Sequence, residues 1–323
     1  MAGKFAHISD PHLTSLARVS ARDLLNKRAL GYLSWKRKRR VEHSQEVLAA
    51  LQEELAGQAL TQLVITGDLT HIGLPDEFRQ ARDWLEQLGS PADVALVPGN
   101  HDACVAAPWD TTFALWQDYM AADHSGGADG SPDQWPTLRV RGSIAFIGVS
   151  TGVPTPPLMA TGSAGPEQVQ KLGALLRSTA EQGLFRVVYM HHCPIKRREK
   201  WRKRLTDAPR MQRTLQENGA ELVLHGHGHR RHFVRLSSND GVIPVIAVPS
   251  ASGLGLHGAD RARYNHYGVS RTPAGWRLDI DTMLYSTSQR RFVQDESSFI
   301  ELVRPHREAP GEARGNTPAA QAG

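Results

Sequence analysis

Five short apolar runs rich in Val and Ile each deliver metal-competent side chains just beyond their ends, and nothing else in the sequence restricts its fold as much. The run at 4–9 is followed by Asp10-Pro11-His12, 62–66 by Gly67-Asp68, and 94–97 by Pro98-Gly99-Asn100-His101-Asp102. The run at 185–190 leads into His191-His192, and 221–224 into His225-Gly226-His227-Gly228-His229. A sixth such run lies at 144–150. Strands of this kind, separated by helices, belong to an α/β chain whose site forms where the strands end.

The intervening segments read as helices. In 44–56, Val47, Leu48, Leu51 and Leu55 share one face, and in 75–88, Pro75 opens a stripe of Phe78, Ala81, Leu85 and Leu88 that Gly89 stops. Two more follow at 166–182 and 208–218. Beyond residue 240 the rhythm changes, and 242–249, 267–271 and 276–285 are expected as an antiparallel C-terminal sheet. The segment 123–136 reads as a flexible surface loop. The expected organisation is one domain over 1–304 and a disordered tail over 305–323, where Pro, Gly, Ala and Glu replace any periodic pattern.

With 40% hydrophobic and 22% charged residues, the 323-residue chain is neither collagen-like, low-complexity nor largely disordered. No apolar run approaches the roughly 18 residues that span a bilayer. The first ten residues read as the start of a strand, with no leader, and Cys104 and Cys193 form no CxxC pair. A cytoplasmic protein in a reducing compartment is expected.

The spacing of Asp10 and His12, and of His227 and His229, sets each pair on one side of an extended segment. Glycines at 67, 99, 226 and 228 permit close approach of the backbone to a ligand. Imidazole and carboxylate together suit Mn, Fe, Co or Zn, whereas Ca and Mg prefer all-oxygen shells. Two Asp, one Asn and four or five His are too many for one ion and about right for two. A metal pair roughly 3.5–4 Å apart is the arrangement that hydrolyses phosphate esters.

The ordered set DPH, GDLTH, GNHD, MHHCP and HGHGH resembles the calcineurin-like metallophosphoesterase superfamily, over roughly residues 3–290. That resemblance implies a four-layer α-β-β-α sandwich of two mixed sheets flanked by helices, with two divalent transition-metal ions at one edge. It implies Asp10, His12 and His229 on one ion, Asn100, His191 and His227 on the other, and Asp68 bridging them. His101 would stabilise the transition state or protonate the leaving oxygen, with Asp102 as its orienter, and a metal-bound hydroxide would be the nucleophile. Of the adjacent pair, His191 is the expected ligand, because MHHCP aligns without a gap on the family's MHHPP-like segment; His192 is then a rim or packing residue. His225 and His71 stand beside the set, His71 as a loop histidine, while His257 and His266 read as surface or structural. Cys104 and Cys193 read as small apolar filler, with a redox-sensitive thiol pair near the metals as the alternative.

The basic charge is local. Segments 27–40 and 196–204 hold seven Lys or Arg each against a single acid, Glu199; they carry +13, leaving −8 for the rest of a chain whose net charge is +5. Trp35, Tyr32, Leu30 and Leu33 in the first, and Trp201 in the second, give these segments the character of a surface for an anionic partner: nucleic acid, acidic lipid headgroups, into whose interface the aromatic and apolar side chains would dip, or a polyphosphate ligand. The basic aromatic insert, 24–40, and the basic loop, 195–205, emerge from ligand-bearing strand ends and are expected to rim the metals. The substrate is expected to be a phosphate ester. The insert favours a nucleotide-linked lipid of the UDP-2,3-diacylglucosamine type, cleaved at the inner membrane face, although one branch with that activity has Arg where this chain has His101. The GDLTHIG stretch with Glu77 and Phe78 resembles the class III cyclic-nucleotide phosphodiesterases instead, making 3',5'-cyclic AMP the alternative. A non-catalytic metal-binding scaffold and a nucleic-acid-binding protein are the remaining readings, and nucleic acid is not the expected partner. The sequence leaves the oligomeric state open.

Overall fold

The structure, a computed structural model, describes residues 3–303 except 14, 17, 18, 124–133 and 257. Most of the expected loop at 123–136, the expected tail and His257 lie outside the described residues.

From the N-terminus, β1 (Gly3–Ile8) leads to a helical insert of α1 (Arg28–Ser34), a π-helical turn (Trp35–Arg39) and α2 (Arg40–Glu42). Then come α3 (Gln45–Ala56), β2 (Gln62–Ile65), α4 (Pro75–Leu88), β3 (Val94–Leu96) and the short α5 (Gln117–Met120). The second half holds β4 (Thr137–Arg141), β5 (Ile144–Gly148), α6 (Pro166–Glu181), β6 (Phe185–Tyr189), α7 (Ala208–Asn218) and β7 (Leu222–His225). It closes with β8 (His232–Ser238), β9 (Gly241–Ala247), β10 (Arg263–Thr272), β11 (Gly275–Ser286) and β12 (Arg291–Val303).

The described strands form two six-stranded sheets, ordered β12-β11-β10-β1-β2-β3 and β4-β5-β6-β7-β9-β8. Both are mixed: β1, β2 and β3 run parallel, as do β5, β6, β7 and β9, while the outer pairs are antiparallel. Two-residue periodicity divides the central strands between layers. Phe146, Phe185, Val187, Leu222 and Leu224 join Phe5 and Tyr267 in the core between the sheets, with Phe5 edge-on to Phe146 at 5.1 Å. Their neighbours Ile147, Val188 and Val223 face outward and pack with Leu172 and Leu176 of α6 and Met211 and Leu215 of α7. On the other side, α3 presents Val47, Leu48, Leu51 and Leu55, and α4 presents Phe78, Ala81 and Leu85. This is the four-layer sandwich, and each fully buried Leu or Phe in it contributes about 2 kcal/mol of transfer free energy.

The expected single C-terminal sheet is split. Strand β9 pairs parallel with β7 in the second sheet, whereas β10 and β11 extend the first sheet outward from β1. β12, which carries Gln294, Asp295, Glu296, Ser297 and Ser298, lies at that sheet's edge with most of its residues exposed. Its polar face faces solvent, so the apolar signal of a strand is weak there.

The insert also differs from expectation at Trp35. Trp35 is buried in a small cluster with Leu16, Ile72 and Leu74, and Tyr32 stacks on it at 5.7 Å. It anchors the insert to the body and is not free to enter a membrane. Arg28 adds hydrogen bonds to the carbonyls of Ile72 (3.0 Å) and Gly73 (2.6 Å).

Candidate metal centre

The parallel strands of both sheets end at the same edge, and hydrogen bonds there tie one sheet's loops to the other's. His191, after β6, donates from Nδ1 to the carbonyl of Thr66, after β2 (2.6 Å). The His227 amide, after β7, donates to Asp10 Oδ2, after β1 (3.0 Å). Asp10, His12, Asp68, His227 and His229 all hold positive φ, between 45° and 69°. Left-handed backbone in non-glycine residues is uncommon and costs roughly 1–3 kcal/mol each, and its concentration here marks a functional site. Glycine is required next to them: a Cβ on Gly99 would collide with Asp68 Oδ1, and one on Gly226 with Ser9 Oγ.

Seven residues singled out in the sequence converge. One ligand atom each from Asp10, Asp68 and His191 lie within 4.8 Å of one another, as do ring nitrogens of His191, His192 and His227. His191 Nε2 is 3.3 Å from Asp68 Oδ2 and 3.2 Å from both Asn100 Oδ1 and His227 Nδ1. His229 Nε2 lies 3.2 Å from Asp10 Oδ1. His12 donates from Nδ1 to the Thr70 carbonyl (2.9 Å), and its Nε2 is buried with no hydrogen-bond partner; His227 Nε2 is likewise buried and unpartnered. A histidine that donates one N–H to a carbonyl presents the other nitrogen as a lone pair, the arrangement metal-binding histidines use. Buried nitrogens without partners are costly unless an ion or water meets them. The donor set therefore fits divalent metals.

The electrostatics agree with the geometry. Burial opposes ionisation of Asp10, yet the imidazoles of His229 and His191 hold its carboxyl below the usual range. Burial, then neighbouring imidazoles, keep His12 and His227 well below the ordinary histidine value, hence neutral. His191 is the exception: burial disfavours its charge, but the carboxylates of Asp68 and Asp10 raise it to about 9. Metal must displace that proton. Apparent Mn affinity is therefore expected to rise about tenfold per pH unit towards pH 9 and then level off. Calorimetric titration at pH 7, 8 and 9 checks this, and a pH-independent affinity contradicts it.

His101 and Asp102 differ from expectation. The His101 ring donates from Nδ1 to the carbonyl of His71 (2.6 Å), and Arg39 Nη1 stands 3.0 Å from the same nitrogen. Asp102 accepts instead from the amides of Asp68 (2.8 Å), Thr70 (2.9 Å) and Gly99 (2.9 Å) and from Thr70 Oγ1 (3.0 Å). It fixes the loops after β2 and β3, not the His101 imidazole. His192 is fully buried, with Nδ1 2.8 Å from Thr151 Oγ1 and Nε2 3.3 Å from the Ala160 carbonyl. His225 is buried, burial lowers it to about 4, and its Nδ1 contacts the Gly226 carbonyl at 3.2 Å. His71 is buried and stacks on His12 at 5.1 Å. Cys104 and Cys193 are buried free thiols, and burial pushes Cys193 up to about 11, which opposes thiolate chemistry.

His43 was not legible as a site residue. It follows the basic run, and its ring lies 4.4 Å from that of His12 and 5.8 Å from that of His229. The signal was the spacing of Trp35, Arg39 and His43, four residues apart and so on one helix face; the density of cations around them obscured it.

Residues 3–231 match the family described as calcineurin-like phosphoesterase. The chain belongs to that family. Calcineurin-like phosphoesterases are hydrolases with dinuclear divalent metal centres, and the convergent His and Asp groups fit one. A dimetal phosphatase from Danio rerio has the same fold, with a TM-score of 0.53 at 13% identity, covering 93% of this chain and 99% of that one. The zinc complex of Vps29 from Entamoeba histolytica is also similar, with a TM-score of 0.40 at 11% identity, covering 92% of this chain and 98% of that one. No curated protein matches the chain. No described helix of this phosphoesterase is long and apolar enough to cross a membrane.

Proposed function

We propose that this phosphoesterase hydrolyses a phosphodiester or pyrophosphate bond in a lipid-linked, nucleotide-type substrate of the UDP-2,3-diacylglucosamine kind, at an anionic membrane surface. Asp10, His12 and His229 would hold one ion, Asn100, His191 and His227 the other, and Asp68 both. Ions of the Mn, Fe, Co or Zn type supply there an activated water and a counter-charge for the phosphoryl group. Thr66 and Thr70, through their carbonyls, keep the His191 and His12 rings aimed inward. His101, held by its Nδ1–H on the His71 carbonyl, presents Nε2 for proton transfer at the leaving oxygen. Arg39 is positioned to donate hydrogen bonds to a phosphoryl oxygen beside His101.

The observation that carries the lipid reading is the composition of the insert's surface. Leu30 and Leu33 are exposed on α1, Leu25 and Val41 flank it, and Lys36, Arg37, Lys38 and Arg40 are exposed nearby. Apolar and cationic side chains together form an interfacial surface. Trp201, in the second basic segment, is also exposed, at 65%. A cavity of about 430 Å³, lined by Pro98, Trp109, Phe113, Met120, Trp135 and Val153, adjoins the strand end that carries Asn100 and offers apolar volume for acyl chains. Liposome co-sedimentation tests the reading. The protein is expected to pellet with anionic vesicles at low salt and to stay in solution once the exposed cations of 36–40 are neutralised. Retention of the intact protein in the supernatant, or cleavage of 3',5'-cyclic AMP in preference to the lipid-linked pyrophosphate, contradicts it.

Arg39→Ala is expected to lower kcat/KM by about tenfold or more, because a charge-assisted hydrogen bond is worth roughly 1.5–3 kcal/mol. Steady-state kinetics check this, and an unchanged value contradicts the phosphate contact.

A further inference from the structure

We infer that His43, at the end of the insert, is a further ligand of the metal pair, closing the His12–His229 side with a third imidazole. The inference rests on the metal-centre reading above and adds a residue outside the five strand-end motifs. One ring nitrogen each from His12, His43 and His229 lie within 4.8 Å of one another. Nε2 of His43 and Nε2 of His12 are both buried without a hydrogen-bond partner. Neutral imidazoles that converge on one space, with no acceptor or donor between them, leave lone pairs unsatisfied, and an electron-poor ion meets them all.

The hydrogen bonds around His43 determine which nitrogen is free. Ser250 Oγ donates to the Asp10 carbonyl at 2.6 Å. Ser252 Oγ lies 3.3 Å from Ser250 Oγ, which has already committed its own proton, so Ser252 is the donor of that pair. Ser252 Oγ then accepts from His43 Nδ1 at 2.8 Å. Each hydroxyl donates onward, and the chain runs in one direction from His43 to Asp10. The proton of a neutral His43 therefore sits on Nδ1, and Nε2 carries the lone pair. The same relay ties the position of His43 to the backbone of the Asp10 ligand.

The insert is built to deliver this side chain. Trp35 roots it in the cluster with Leu16, Ile72 and Leu74, and one face then carries Arg39 to His101 and His43 to His12. Beyond it, the Ser44 amide bonds to the Ser252 carbonyl at 3.0 Å and His43 bridges to Gly253, which fixes the insert's exit.

Calorimetric titration of the metal-free full chain with Mn tests the inference. Wild type is expected to bind two ions. His43→Ala is expected to bind one of them at least about tenfold more weakly, a loss of the size that even supporting residues of a metal site produce, with the other ion unaffected. His43→Asn keeps a donor for Ser252 but lacks Nε2, so it should match His43→Ala, which separates lost ligation from a loosened loop. Thermal melting of the metal-free variants reports whether they fold. If both variants bind both ions as wild type does while His229→Ala does not, the role of His43 is overturned and the metal centre stands. If wild type binds no Mn, the centre itself is overturned, and this inference with it.

Discussion

Asp68→Ala is expected to reduce Mn-dependent hydrolysis of bis-p-nitrophenyl phosphate by about a thousandfold or more, because losing the proposed shared ligand forfeits several kcal/mol of transition-state stabilisation and about 4 kcal/mol corresponds to that factor. Two groups depend on this carboxylate. Its Oδ2 faces His191 Nε2 at 3.3 Å, and its Oδ1 accepts the His101 amide at 2.7 Å, so the variant loses the proposed bridge and loosens the loop that presents His101. The fold is expected to survive, since the Asp68 charge disfavours ionisation of Asp102 and its removal relieves that conflict. Retention of more than about a tenth of the wild-type rate in a folded variant contradicts both the bridge and hydrolysis through it.

Asp102→Ala is expected to destabilise the metal-free protein by about 3 kcal/mol or more, because three buried amides lose their acceptor and each unsatisfied group costs roughly 1–3 kcal/mol. Those amides belong to Asp68, Thr70 and Gly99, so activity falls as well, through displacement of the two ligand loops. The effect depends on pH. Burial first, and then the charge on Asp68, raise the Asp102 carboxyl to about 7. A raised acid contributes its stability in the protonated form, fully present below its ordinary value near 4 and lost as pH climbs through 7. The gap between wild type and variant is therefore largest at about pH 4 and below, narrows as pH rises to about 7, and is level above that. Denaturant melts across that range measure it, and a difference below about 1 kcal/mol at pH 5 contradicts the clamp.

Much of the site was legible because strand ends are where sequence and chemistry coincide. Asp10, Asp68, Asn100, His191 and His227 each follow an apolar strand that cannot be mistaken for a loop, and parallel pairing brings those ends to one edge. Less legible were features whose meaning depends on packing. The resemblance implied Asp102 as the orienter of His101, but the chain turns and the carboxylate faces backbone amides instead. Trp35 in a run of cations read as a membrane anchor; only the nearness of Ile72 and Leu74 makes it a core residue. His43 is a single histidine after a charged stretch; its spacing from Trp35 and Arg39 gives a shared helix face, obscured by the surrounding cations, and does not by itself report that the ring arrives beside His12. The exposed polar face of β12 hid an edge strand for the same reason: pairing with β11 satisfies its backbone without requiring an apolar sequence.

Anomalous diffraction from crystals soaked in manganese addresses the metal pair most directly. Two peaks are expected on either side of the Asp68 carboxylate, one towards His12 and His229, the other towards Asn100, His191 and His227. A lone peak remote from Asp68, or no peak among these side chains, would contradict a dinuclear centre at this edge.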